Sequence, residues 1–176
     1  GMGIERVCTH GQIPDRNERE RQLPLALPRA ALKWQVMRSL DDIREEYEFS
    51  EGDERYRLLI GLGSELDPMP DALKTDATKV RGCSASVWVY PMAQADGTLH
   101  FLADSNAAIT KGIVSLVISA VQDRPAAEVA ATDIAAALEP FDLKNQLSSN
   151  RTQGVPNMIA LIRETAARYA QGAGTE

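Results

Sequence analysis

A chain of 176 residues, 44% of them hydrophobic, is long enough to bury one core and carry an appendage. Its net charge of −6, from 19 Lys and Arg against 25 Asp and Glu, argues against a protein built mainly to wrap nucleic acid. No apolar run reaches the roughly 18 residues of a membrane span, and two cysteines, Cys8 and Cys83, make no disulfide framework.

Residues 1–36 include "GQIPDRNERERQLPLALPRA", dense in charge and proline, and are expected to form a flexible extension. They lack the apolar core of an export signal, so the cytoplasm is the expected location and both thiols are expected to be reduced. The folded domain is expected over 37–172, with a short tail at 173–176.

Ser39 N-caps a predicted helix at 39–48, where Leu40, Ile43 and Tyr47 share a face. In "SEGDERYRLLIGLGSEL" Ser50 is expected to cap a second helix, with Tyr56, Leu59 and Ile60 at helical spacing and Pro68 and Pro70 beyond its end. Residues 67–82 read as a long polar connection. "SASVWVYPM" then turns to a strand pattern, Asp96-Gly97 suits a hairpin turn, and "LHFLAD" is the returning strand. Leu99, Phe101 and Ala103 fall on one face of that strand, which puts His100 on the other, expected to face solvent.

The most apolar helix is predicted at 106–122, capped by Ser105 or Asn106 and largely buried. Two short helices follow, the second capped near Asp133 and stopped by Pro140. "NQLSSNRTQG" reads as turn-forming. The closing helix carries Pro156 in its first turn and a stripe of Met158, Ile162, Ala166 and Tyr169. These elements do not alternate as βαβα, and no third strand can be placed. The expected fold class is α+β, a small antiparallel β-sheet covered by helices.

Chemistry concentrates in "KVRGCSASVW", residues 79–88. Lys79 and Arg81 are close enough in sequence to lower the pKa of Cys83, and Gly82 lets the backbone turn sharply beside it. Cysteines also simply fill space, and that reading stands beside the reactive one. A base for a cysteine hydrolase is scarce: His10 lies in the extension, and His100 lies on the hairpin. Two cysteines and two histidines, one of each in the extension, do not easily close a zinc site or hold an iron–sulfur cluster. "GLGSEL" lacks the Lys-Ser/Thr of a phosphate loop. Two active readings remain. Cys83 can accept and pass on a sulfur atom, which needs little beyond a thiolate. Alternatively it works with His100 as a thiol-dependent hydrolase or peroxidase.

Four segments, in order, resemble the SufE family of sulfur acceptors. "DERYRLLIGLGSEL" is similar to the family's early helix. "KVRGCSASVWV" resembles its Val-x-Gly-Cys-x-Ser-x-Val-Trp signature, and "LHFLADSNAAITKGIVSLV" its strand, Asp-Ser-Asp-Ala and Lys-Gly helix. "LSSNRTQGVPNMI" resembles its Leu-Ser/Thr-Pro-x-Arg-x-x-Gly turn. The resemblance implies a fold like that of iron–sulfur scaffold proteins and a sulfur-accepting Cys83 on a loop flanked by Gly82 and Ser84, with Arg81 adjoining. It implies supporting roles for Asp104, Lys111 and Arg151, the last pairing with carboxylates to order the loop. It implies a cysteine desulfurase as sulfur donor, carrying pyridoxal phosphate, and an iron–sulfur scaffold as acceptor. The chain itself is expected to need no cofactor or metal and no membrane or nucleic acid, and a homodimer is left open. Ser84 and Ser86 stand where the family often has glutamines, Asn106 replaces the second aspartate, and Ser149 replaces the proline of the late turn.

Overall fold

The computed structural model describes residues 37–172. The extension at 1–36, with Cys8 and His10, and the tail at 173–176 lie outside the described residues.

Helix α1, Leu40–Phe49, starts where the Ser39 hydroxyl accepts the Asp42 amide at 3.1 Å, and it buries Ile43 and Tyr47. Ser50 closes this helix instead of opening the next: its hydroxyl donates to the Glu46 carbonyl and its amide to the Tyr47 carbonyl. The reversal falls on Gly52, at φ +52°, and helix α2 runs Asp53–Ser64. Leu59, Leu62 and Gly63 are its buried residues, while Tyr56, expected on the same face, stays exposed.

Strands β1, Val87–Ala93, and β2, Thr98–Ser105, pair antiparallel from Val87 opposite Ser105 to Ala93 opposite Leu99. Gly97, at φ +86°, completes the turn, and the Asp96 carboxylate accepts both the amide and the hydroxyl of Thr98. The third strand is β3, Arg124–Pro125, only two residues long, on the far side of β2. The outer edge of β1 is covered too. Val80 donates to Val87 at 2.8 Å and Val89 to Thr78 at 2.9 Å. The 67–82 connection therefore contributes an edge bridge, and it buries Met69 and Val80.

Helix α3, Ala108–Ser119, is the centre of the domain, with Val114, Leu116, Val117 and Ile118 wholly buried. It crosses α2 at glycines. A Cβ on Gly112 would stand 2.1 Å from the Leu59 carbonyl oxygen, so the two backbones touch. The N-cap position is Ala107; Ser105 accepts the Ala107 amide, and Asn106 is used elsewhere, as described below.

Helices α4, Ala126–Ala131, and α5, Ile134–Leu138, follow, the latter capped by Asp133 at 3.0 Å from the Ala136 amide. A 3₁₀ turn at Glu139–Phe141 takes Pro140 and buries Phe141 against Tyr47, ring centroids 5.2 Å apart. The polar stretch expected to be turns is coiled into two single-turn helices, α6, Leu143–Gln146, and α7, Ser149–Thr152. Helix α8, Val155–Gly172, buries Met158, Ile162, Thr165 and Ala166. Thr165 takes the place expected of Tyr169, which is 40% exposed near the helix end.

Strand β2 is buried on both faces, and this corrects the expectation for His100. The imidazole has no exposed surface. Its Nδ1 lies 2.8 Å from Asp123 and its Nε2 3.0 Å from Asp67. The alternation of the hairpin assumes one wet face, but the chain on either side of the hairpin supplies these two carboxylates and closes over it.

Candidate functional site

Cys83 sits on the loop of residues 81–86, between Val80 and Val87. The hydrogen bond between those two valines closes the loop at its base. Gly82 lies at φ +81°, a left-handed conformation that favours glycine.

Three side-chain contacts hold this loop. The Asn157 side-chain amide donates to the Arg81 carbonyl at 3.0 Å. The Ser84 hydroxyl donates to the Asn150 carbonyl. Asn106 accepts the Ser86 amide through its side chain at 3.0 Å and returns its own amide to the Ser86 carbonyl at 3.2 Å. Asn106 thus pins the end of the loop rather than capping α3.

The thiol points into a cleft with about 10 Å³ of free volume, walled by Ile113, Val155 and Met158 and bordered by Thr110 and Arg151. It packs against the buried Gly154, where a Cβ would lie 2.1 Å from Sγ. Burial pushes the Cys83 thiol above its ordinary pKa. The lowering expected from Lys79 and Arg81 does not occur, because both residues are exposed and neither contributes to its titration. Proximity in sequence placed the cations beside the loop but turned to water.

The other anticipated residues divide. Arg81 and Gly82 contribute backbone to the clamp, and Ser84 contributes its hydroxyl. Aligned residue by residue, the serine of the family signature falls on Ala85, so the clamping Ser84 occupies a different position of the motif. Arg151 borders the cleft, with its guanidinium 5.5 Å from the Tyr56 ring centroid. Among the described residues it makes no ion pair with a carboxylate, so the loop is ordered by neutral hydrogen bonds instead.

Asp104 and Lys111 do not line the cleft. They pair at 3.2 Å, and Lys74 joins at 2.7 Å from the other carboxylate oxygen. Burial alone would raise the Asp104 carboxyl, but hydrogen bonds from Lys74, the Ser105 amide and Lys111 together hold it below the ordinary value. This cluster fastens the end of β2 to α3 and to the connection before β1. Lys74 was not legible as its third member. His100 is also absent from the cleft, and both its ring nitrogens are engaged by carboxylates, so the Cys83–His100 pairing is not made.

Sequence reasoning missed Asn150, Gly154 and Asn157. Gly154 is the last residue of the late-turn motif, which was the available signal. Nothing local marked Asn157. Among the described residues, no cluster of three or more His, Cys, Asp or Glu is arranged to hold a metal. No helix among them is long and apolar enough to cross a membrane.

A half-buried cysteine on a clamped loop, set on a helix-covered antiparallel hairpin, defines a small α+β thiol protein with neither a base nor a metal cluster beside its sulfur among the described residues. The family model SufE, described as an Fe-S metabolism associated domain, matches residues 41–166. The chain belongs to the SufE family. An uncharacterized SufE-like protein of Rhizobium etli is 34% identical over 134 residues, 74% of this chain and 90% of that one. The sulfur acceptor protein CsdE of Escherichia coli is 36% identical over 103 residues, 58% of this chain and 70% of its own. A hypothetical protein from Thermus thermophilus, solved in solution, shares the fold with a TM-score of 0.62 at 13% identity, covering 75% of this chain and 96% of its own.

Proposed function

We propose that Cys83 accepts a sulfur atom from a cysteine desulfurase and passes it on for iron–sulfur cluster assembly. In the first step the Cys83 thiolate attacks the outer sulfur of the donor's cysteine persulfide. A new S–S bond forms on Cys83, the donor's S–S bond breaks, and the donor cysteine leaves as a thiolate. In the second step an acceptor thiolate, on an iron–sulfur scaffold protein, attacks the outer sulfur now on Cys83 and restores its thiolate. Both steps are exchanges, and neither consumes an oxidant. Removing sulfur from the donor cysteine frees it for another turnover, so the desulfurase is stimulated. The pyridoxal phosphate that this chemistry requires belongs to the donor.

The observation that carries this reading is the state of the thiol. Cys83 is half-buried, raised in pKa by that burial and, among the described residues, without a neighbouring base. Such a thiol is quiet toward adventitious oxidants and acts only when a partner supplies the chemistry and draws it out. The family match and the name of the Escherichia coli relative, a sulfur acceptor protein, point the same way.

The test is mass spectrometry without reductant after incubation with a cysteine desulfurase and free cysteine. The Cys83 peptide is expected to gain one sulfur atom, and the Cys83→Ser variant none. A desulfurase active toward a known acceptor that leaves Cys83 unmodified would sink the reading.

A further inference from the structure

The seat of Cys83 is cut to a thiol and to nothing larger. Gly154 presents bare backbone to the sulfur, so close that even a Cβ would come within 2.1 Å of Sγ and 3.0 Å of the Cys83 Cβ. The cleft holds about 10 Å³ of free space. That is about the space of a single water, roughly 10–15 Å³. The outer sulfur of a persulfide is bulkier than a water, and it stands about 2.05 Å from Sγ, the length of an S–S bond. On the Gly154 side this seat has no room for it.

The loop around the thiol is fastened in a way that can yield. Its two ties to the α7–α8 junction, from Ser84 to Asn150 and from Asn157 to Arg81, are both solvent-exposed hydrogen bonds, for which water competes. Its base is held by more bonds, the Val80–Val87 backbone bond and the pair that Asn106 makes with Ser86, of which the side-chain one is exposed as well. Residues 81–85 can therefore leave the junction while 80 and 86 stay in place.

We propose that sulfur loading itself opens this loop: an added sulfur atom cannot share the seat with Gly154, so the loaded protein presents its cargo and the empty protein withdraws its thiol. Gly154 is the positioning residue of this switch, since its lack of a side chain is what admits the thiol. The inference rests on Cys83 being the sulfur acceptor. It adds a direction to the exchange: the loaded form is the one shaped to meet an acceptor, and the emptied form closes again.

The test installs a sulfur atom chemically, in a Cys8→Ser background where Cys83 is the only thiol. Methyl methanethiosulfonate converts the thiol to a methyl disulfide. The Cys83 sulfur bonds to the reagent's outer sulfur, and methanesulfinic acid leaves with the thiol proton. Trypsin then reports the loop, because Arg81 is exposed while its carbonyl is tied to Asn157. Cleavage after Arg81 is expected to be about tenfold faster in the loaded protein than in the thiol form, and dithiothreitol is expected to restore the slow rate. In the unloaded chain, Gly154→Ala is expected to speed iodoacetamide alkylation of Cys83 about tenfold and to move its pH profile toward that of a solvated thiol. Equal cleavage of the loaded and thiol forms overturns the proposal, for it means that the added sulfur points outward from a closed loop. Complete resistance of Cys83 to the reagent overturns it as well, because a seat shut that firmly is not displaced by one atom. No desulfurase enters the experiment. A loop that opens on loading, in a chain that takes no sulfur from a desulfurase, spares the switch and removes the function. A chain that accepts desulfurase sulfur while its loop stays closed does the reverse.

Discussion

The Asn157 side chain and the Arg81 carbonyl meet at 3.0 Å, joining the first turn of the last helix to the cysteine loop across 76 positions of sequence. The contact depends on glycine at 82, where a Cβ would lie 2.2 Å from the same amide nitrogen. Replacing Asn157 by Ala removes one exposed hydrogen bond, with a net contribution of roughly 0.5–1.5 kcal/mol. The melting temperature is expected to fall by no more than a few degrees. Alkylation of Cys83 is expected to rise by roughly two- to tenfold, because that same free energy holds the loop shut. An unchanged alkylation rate would show that Asn157 does not restrain the loop.

Asp104 tests the other cluster. Its carboxyl is held low in the folded chain, so it contributes stability above its ordinary unfolded pKa of about 3.9 and loses that contribution as pH falls through the folded value. Asp104→Asn leaves Lys74 and Lys111 facing each other without the shared anion. The variant is expected to melt roughly 2–4 °C lower at neutral pH. That gap should narrow when both proteins are melted near pH 3. A gap that persists undiminished in acid would mean that the carboxylate's charge is not what stabilises the cluster.

What could be read in advance followed local signals. Both long helices before the hairpin, the hairpin turn and the closing helix carry their own periodicity or turn residues, so their existence was legible. Strand β3 has two residues and no pattern to find. The 145–154 stretch has turn-forming residues, yet single-turn helices α6 and α7 need only local bonds that such residues also tolerate. Cys83 stood out by its setting, but two of its loop's clamps, Ser84 with Asn150 and Asn157 with Arg81, join residues 66 and 76 positions apart, and no local window contains both partners. The cations at 79 and 81 misled for the same reason: nearness in sequence does not say which way a side chain turns.

His100 shows what the hairpin alone concealed. It is bracketed by Asp67, whose side chain is 11% exposed, and Asp123. His100→Ala leaves a cavity and strips the nearly buried Asp67 carboxylate of this partner. The expected loss is roughly 3–5 kcal/mol, read as a shifted urea midpoint. Sulfur acceptance per folded molecule is expected to be unchanged. A variant that stays folded but no longer loads Cys83 would restore a chemical role to this histidine.

Tyr47 offers the opposite sign. Its ring packs on Phe141, and Arg55 lies 4.7 Å from its centroid, but its buried hydroxyl has no hydrogen-bond partner among the described residues. Burial accordingly raises its pKa. A buried hydroxyl left unpaired costs roughly 1–3 kcal/mol. Tyr47→Phe keeps the ring and removes that penalty, so its urea midpoint is expected to rise. A fall in the midpoint would reveal a partner for the hydroxyl.

The thiol of Cys83 ties stability to alkaline pH. Its folded pKa lies above the ordinary value of 9.0, because burial disfavours the thiolate. The unfolded chain therefore gives up this proton first as pH rises. The unfolded state then binds fewer protons than the folded one, and stability falls with pH through that interval. The contribution is fully present below the unfolded pKa and is lost as pH climbs toward the folded one. Cys83→Ser has no such group, so the parent is expected to lose ground against the variant in urea titrations from about pH 8.5 upward. The alkylation rate of the parent should still be climbing beyond pH 9.0, since the thiolate forms late. A plateau reached below that pH would mean that the thiol is already solvated, and that the seat against Gly154 is not where the sulfur rests.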